Sequence, residues 1–248
     1  SIWFGQPAYK NENTVEVAGN VDLGAGNDEV LIGGDTDRDT YLGPGDNYAY
    51  FFANSRQKVI GSDGDDNVVA LGDLGYPAPD ENSQGWDLKN GNNSARVKGT
   101  CYAPILVGSG DDLFIIEGDA KRDCALNTDG GSDIIDVGGT IDVAVDTGVG
   151  NDMVIAGDLV SGQTVTLGDG DDYFQMHNLL KGTVQAGTGD DYVVLNNIDT
   201  TTGSVDGGDG TDTLELKLVD KAAWDAGIKN YVSGFEKVIL SDDVVNLP

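Results

Sequence analysis

Apolar residues recur in this chain as pairs two positions apart, and the pairs themselves return about every twenty residues. Val30/Ile32, Val68/Ala70, Phe114/Ile116, Ile135/Val137, Val154/Ala156, Phe174/Met176, Val193/Leu195 and Leu214/Leu216 alternate with residues of the opposite face, as a half-buried strand requires. A turn signal follows most pairs, at Gly33, Gly72, Gly118, Gly138, Gly157, His177 and Asn196. A second apolar series, Val21, Val59, Ile105, Leu126, Val145, Val165, Val184 and Val205, marks a strand leading back. Two strands and two turns per period predict an all-β fold, a flattened parallel β-roll or β-solenoid whose coils contact only their neighbours.

The period is set by a turn reading G-x-G-x-D-x-apolar. Clear copies are Gly24-Ala25-Gly26-Asn27-Asp28, Gly148-Val149-Gly150-Asn151-Asp152, Gly168-Asp169-Gly170-Asp171-Asp172 and Gly187-Thr188-Gly189-Asp190-Asp191. Looser copies start at Gly43, Ser62, Gly108, Asp129 and Gly208, so successive starts differ by 19 to 21 residues except for one step of 46. That step resolves if Lys89-Asn90-Gly91-Asn92-Asn93 is a decayed copy and residues 71–84, with Pro77 and Pro79, are a surface-loop insertion. About ten coils are expected between residues 21 and 216, with an N-terminal cap or cover over 1–20 and a C-terminal cap over 217–248. Within that cap, Asp220–Tyr231 is the one helical segment, followed by a last strand over 234–240.

Charge changes the picture. The 248 residues carry 14 Lys+Arg against 43 Asp+Glu, a net charge of −29, which repels nucleic-acid phosphate and anionic membrane surfaces. Neither nucleic-acid binding nor membrane insertion is expected, and no stretch approaches 18 uninterrupted apolar residues. Such an acidic chain with 37 glycines folds only once its charge is neutralised, which points to a counter-cation. At each turn the glycines admit close backbone carbonyls and the aspartate adds a carboxylate. Stacking coils about 4.8 Å apart then faces one oxygen set with the next. An all-oxygen cage of flexible geometry suits calcium, which takes six to eight oxygens at about 2.3–2.6 Å, better than zinc or octahedral magnesium.

These turns resemble the RTX, or haemolysin-type, calcium-binding nonapeptide G-G-x-G-x-D-x-U-x of secreted bacterial proteins, across roughly Val21 to Leu216. The resemblance implies calcium ligation by Asp28, Asp66, Asp112, Asp133, Asp152, Asp172, Asp191 and Asp212, with Asp63 and the carbonyls of Gly24, Gly26, Gly108, Gly110, Gly148, Gly150, Gly168, Gly170, Gly187, Gly189, Gly208 and Gly210. It implies about seven to nine ions per chain, and an extracellular or bacterial cell-surface location. The sequence departs from the family at Asn47 and Pro44, where a weaker site is expected, and at Asn93, where calcium is doubtful. The second turns lack the motif, so calcium is expected along one edge only. Stacked aspartates without a cation repel one another, so metal binding should supply folding energy.

Leu113, Ile115, Ile134, Met153, Ile155, Tyr173, Tyr192 and Val194 face outward on consecutive coils, where a solenoid ordinarily presents polar residues. Either the chain's own ends cover this stripe, through Trp3, Phe4 and Tyr9 or residues 218–240, or it binds a glycan or another protein. Cys101 and Cys124 sit on adjacent coils with matching parity, which permits a disulfide. His177 reads as a turn residue. Ser1-Ile2-Trp3-Phe4 lacks the start of a signal peptide, which fits an excised module or export without an N-terminal signal. No H-E-x-x-H, G-x-S-x-G or second histidine is present, and the basic residues Arg38, Arg56, Arg96 and Arg122 share no register with a carboxylate cluster, so no enzymatic activity is expected. Ice binding would need flat rows of outward threonine, and Thr164, Thr166 and Thr183 are few. The sequence therefore reads as a calcium-folded structural module of an adhesin, surface layer or exported repeat protein. The alternative is a calcium-shaped module that recognises a ligand through the stripe.

Overall fold

The computed structural model describes residues 2–4, 20–34, 38–77, 84–121 and 123–247. Tyr9, Arg122 and most of the expected N-terminal cap lie outside the described residues. The chain winds as a parallel β-solenoid. One sheet stacks Ile2–Phe4, Glu29–Ile32, Tyr48–Phe51, Asn67–Ala70, Ser94–Val97, Leu113–Ile116, Ile134–Asp142, Met153–Leu159, Tyr173–Leu180, Tyr192–Ile198, Thr213–Leu216 and Lys237–Leu240 in that order, each parallel to the next. The second sheet runs alongside, from Val21–Asp22 through Val59–Ile60, Ile105–Val107, Val145–Asp146 and Thr183–Thr188 to Val232–Ser233.

Register follows the sequence repeat. Phe114 pairs with Ile135, Ile135 with Val154, Val154 with Phe174 and Phe174 with Val193, a continuous inward ladder at 0% exposure. Opposite it, Val145, Val165, Val184 and Val205 form the matching ladder of the second sheet. Each side chain touches its own kind one strand spacing above and below, so removing one coil would expose two faces.

The second turns differ from the tight glycine turns expected. Several strands of the first sheet run through them, with register shifts between Val137 and Thr140 and between Met176 and Leu179. This bend places Ile141, Leu159, Leu180 and Ile198 in the core at 0–2% exposure. The same column continues toward the N-terminus as Ser55, Leu74, Cys101 and Ala120, joined by parallel bridges. Leu74 thus belongs to the stack rather than to the insertion expected over 71–84, because its buried side chain fills the space between Ser55 and Cys101; residues 78–83 lie outside the described residues. The decayed copy at Lys89 is a full coil, with Asn93 bonding across a separation of 27 to Asp66.

Cys101 and Cys124 form a disulfide with Cα atoms 5.6 Å apart. At the C-terminal end Lys221–Ala226 forms a short helix, capped by the Asp220 carboxylate, which accepts from Ala223 N at 2.8 Å. It ends at Gly227, where φ is 155°. A 3-10 turn at Ile228–Tyr231 follows, so the expected helix over 220–231 is broken at that glycine. Trp224 and Phe235 at 3% exposure close the end of the core. Val244–Asn246 then pairs antiparallel with Lys237–Leu240, a hairpin the twenty-residue period did not foreshadow.

Candidate metal edge

The acidic turns lie in one line along the solenoid, at the junction between the end of the second sheet and the start of the first. Their backbone explains the glycines. Gly150 has φ 141°, and a Cβ built there would sit 1.6 Å from the carbonyl oxygen of Gly131 in the preceding coil. The same approach recurs along the row, with Gly110 O against Gly131, Gly150 O against Gly170, and Gly170 O against Gly189. Backbone carbonyls therefore form a ladder that only glycine leaves room for. Where the first glycine of the motif is lost, Lys89 and Asp129 adopt a left-handed backbone, both at φ 67°, whereas Ser62 does not.

Beside this ladder stand the motif aspartates. Asp66, Asp112, Asp133, Asp152, Asp172, Asp191 and Asp212 are 0–3% exposed. In each, Oδ1 accepts the backbone N–H of the equivalent residue one coil earlier: Asp112 N donates to Asp133 Oδ1 at 2.7 Å, Asp133 N to Asp152 Oδ1 at 2.7 Å and Asp152 N to Asp172 Oδ1 at 2.7 Å. The row ends at Asp212, whose N–H donates to Glu236 Oε2 at 2.7 Å. In all seven aspartates Oδ2 is buried and has no hydrogen-bond partner within the protein. A buried carboxylate oxygen without a donor is costly. Burial accordingly pushes Asp112 and Asp172 up to about 7 and Asp66, Asp133 and Asp191 up to about 6, with the neighbouring carboxylates adding to the effect. Asp152 and Asp212 are raised from the same cause.

Six orphaned oxygens one strand spacing apart, from Asp112 to Asp212, with a seventh on Asp66 two coils before Asp112, form beside the carbonyl ladder an electron-rich row that a hard cation fits. The donor set is one carboxylate per coil plus backbone oxygens, which is why no three acidic side chains converge on a point among the described residues. Asp66, Asp112, Asp133, Asp152, Asp172, Asp191 and Asp212 could hold such ions, with carbonyls from the glycine rows completing the shell. Asp28 stands apart. Its turn is the first G-x-G-x-D turn of the chain, its side chain is partly exposed, and its N–H donates to Asn47 Oδ1 at 2.9 Å. Asp63 also departs from the expectation. It is exposed, with its Oδ1 3.5 Å from the Asn90 amide nitrogen, because the residue after the first turn position points to solvent.

The exposed residues just before the motif aspartates form an outer row with its own ladder. Asp65 N donates to Asp46 Oδ1 at 3.1 Å, Ser132 N to Asp111 Oδ1 at 2.8 Å, Asp190 N to Asp171 Oδ1 at 2.8 Å and Thr211 N to Asp190 Oδ1 at 2.9 Å. Asn27, Asn92 and Asn151 serve in the other coils. Among the described residues, the second turns contain no buried carboxylate.

The outward stripe forms two columns. Leu113, Ile134, Met153, Tyr173 and Tyr192 are register neighbours, whereas Ile115, Ile155 and Val194 are interrupted by Asp136 and Gln175. Tyr173 and Tyr192 stack with centroids 6.1 Å apart at 9°. Val194, between the inward pair Val193 and Leu195, keeps its outward place but is buried at 3% exposure, and beside it Tyr192 donates to Glu215, the register partner of Val194, at 3.0 Å. The described ends extend the sheets rather than cover the stripe. Ile2–Phe4 pairs with Val30–Ile32 at one edge, and residues 218–240 continue both sheets and the end cap at the other.

Fold and edge together define a parallel β-solenoid with an acidic, carbonyl-lined row of turns. Residues 204–246 match the family of the bacterial antifreeze protein repeat. Among solved structures, a hyperactive, Ca2+-dependent, β-helical antifreeze protein from an Antarctic bacterium shares the fold, with a TM-score of 0.66 and 23% identity over 94% of this chain and 80% of that one. No curated protein matches. The solenoid expected from the repeat is thus shared with a known protein, and the family match over residues 204–246 is to an antifreeze repeat.

Proposed function

We propose that this chain is a calcium-dependent structural solenoid, in which a row of ions along one edge neutralises the buried aspartates and locks successive coils together. The observation that carries the reading is the row of seven buried Oδ2 atoms without a donor. Two unit charges one strand spacing apart repel by about 3 kcal/mol at an effective dielectric constant of about 20. A shared divalent cation turns that repulsion into attraction at every step of the stack. The calcium dependence stated for the β-helical antifreeze protein supports the choice of ion. The RTX-like turns support an exported setting, where calcium is plentiful and the chain folds after leaving the cell, as part of an adhesin, surface layer or other exported protein without catalytic activity. Thermal unfolding in calcium, magnesium and chelator tests the reading. A midpoint that rises with calcium concentration supports it, and equal midpoints in all three sink it.

A second reading, ice binding, is favoured by the antifreeze-repeat match and the antifreeze protein of like fold. The surface it needs is a regular, weakly charged row. Here Thr164 pairs with Thr183 and Thr183 with Ser204, and the row ends there. The outer turn row carries Asp46, Asp65, Asp111, Asp171 and Asp190, which hold water strongly. The acidic row therefore weighs toward the structural role. Thermal hysteresis in the calcium-loaded protein, with ice crystals shaped at micromolar concentration, would reverse that order.

A further inference from the structure

We infer that Asn47 and Asn93 are built-in replacements for the cation, so that their turns close without metal and interrupt the row of ions. The inference rests on the calcium reading above and concerns where in the row the ions sit.

Both asparagines occupy the aspartate position of the motif and are buried, at 2% and 1% exposure. Their Oδ1 atoms keep the ladder role of an aspartate: Asn47 Oδ1 accepts from Asp28 N at 2.9 Å and Asn93 Oδ1 from Asp66 N at 3.0 Å. The difference lies at the second terminal atom. Asn47 Nδ2 donates to Gly45 O at 2.8 Å and Gly43 O at 3.1 Å, and also lies 2.9 Å from Asp66 Oδ1. Asn93 Nδ2 donates to Gly91 O at 3.0 Å and Lys89 O at 3.1 Å.

In an aspartate turn the atom at this place is the orphaned Oδ2, and the corresponding carbonyls are those two and four residues earlier. There, oxygen lone pairs face oxygen lone pairs, and only a positive charge reconciles them. In the two asparagine turns the amide hydrogens supply that positive charge, and neither amide appears among the buried atoms lacking a partner. A cation approaching the same carbonyls would meet the N–H hydrogens first. These two turns therefore do not fit the ion. The divided row leaves Asp66 isolated between two amide-closed turns, followed by an unbroken run of aspartates from Asp112 to Asp212.

The test counts bound calcium by native mass spectrometry and equilibrium dialysis on the full chain, with far-ultraviolet circular dichroism confirming the fold of each calcium-loaded variant. Asn93→Asp should bind one more calcium per chain than the wild type, Asn47→Asp/Asn93→Asp two more, and Asp152→Asn one fewer while keeping its β spectrum. Folded Asn93→Asp with an unchanged count overturns the inference. Should Asn93→Asp fail to fold, Asp152→Asn decides: a count unchanged from wild type overturns the inference, and a loss of one supports it. A wild type that binds no calcium removes the underlying reading and the inference with it, whereas a calcium-binding wild type with unresponsive variants removes the inference alone.

Discussion

Stripped of metal, the buried aspartates can be neutralised only by protons, and this gives the chelated protein an unusual pH dependence. An aspartate in the unfolded chain titrates near about 3.9, whereas burial holds Asp112 and Asp172 at about 7 in the fold. Because the folded value is raised, the native state binds more protons than the unfolded state between these limits, and stability rises as pH falls. The contribution is complete below about pH 4 and lost as pH rises through about 6 to 7. For Asp112 alone the difference corresponds to about 4 kcal/mol. The seven titrate as a coupled row, so the single-site figures do not add. In a chain of this size about 1 kcal/mol moves the melting temperature by about 2–4 °C. Between pH 8 and pH 5 about 2.6 kcal/mol of this is realised, so one carboxylate accounts for a shift of about 5–10 °C. The assay is circular dichroism melting in chelator from pH 8 to pH 5. The β signal and its melting temperature should rise on acidification, while the calcium-saturated protein at pH 7 to 8 should change little. A flat or falling profile in chelator would refute the reasoning. General repulsion from a net charge of −29 drives the same direction, so Asp112→Asn/Asp172→Asn is the control: it flattens the profile if the buried row carries the effect and leaves the slope intact if overall charge does.

Other perturbations address other parts of the structure. Gly150→Ala places a Cβ 1.6 Å from Gly131 O at φ 141° and should cost several-fold more stability than Gly162→Ala, where φ is 87° and nothing lies within 4 Å; the latter should cost about 1 kcal/mol, both read by thermal unfolding in calcium. Phe114→Ala empties a fully buried position and should destabilise by about 3–5 kcal/mol, measured by denaturant titration. Reduction, or Cys101→Ser/Cys124→Ser, releases a bridge across a sequence separation of 23 and should cost about 3 kcal/mol without lowering the calcium count. Tyr173→Ser/Tyr192→Ser, which removes a stacked pair on the outer face, should leave retention on glycan arrays and on protein partners unchanged if the role is structural. Loss of retention would favour recognition through the stripe.

Much of this architecture is legible in the sequence, because a solenoid repeats its instructions. Val154, Phe174 and Val193 are apolar at one offset from every G-x-G-x-D, and the fold places them in one buried column. The second turns were harder to read. Ile141, Leu159, Leu180 and Ile198 lie beyond bulges of varying length, so no constant spacing ties them to the motif. The terminal hairpin at Val244–Asn246 has no copy elsewhere in the chain from which to infer it. At the metal edge, the aspartates were recognisable one by one, but the division of labour between Oδ1 and Oδ2 was not, since it depends on the neighbouring coil. The same holds for Asn47 and Asn93. As residue types they read as poorer ligands, and only the contacts show Nδ2 donating to the turn carbonyls.

The central claim, that cations along one edge hold the coils together, is tested most directly by far-ultraviolet circular dichroism during a calcium titration from a chelated start at pH 7.5, with magnesium as the control. The expected result is a cooperative gain of β signal as calcium rises into the range of extracellular modules, about 10⁻⁴–10⁻³ M, with no comparable gain in magnesium. A full β spectrum in chelator, unchanged by calcium, would show that the apolar ladders suffice by themselves and would contradict the account.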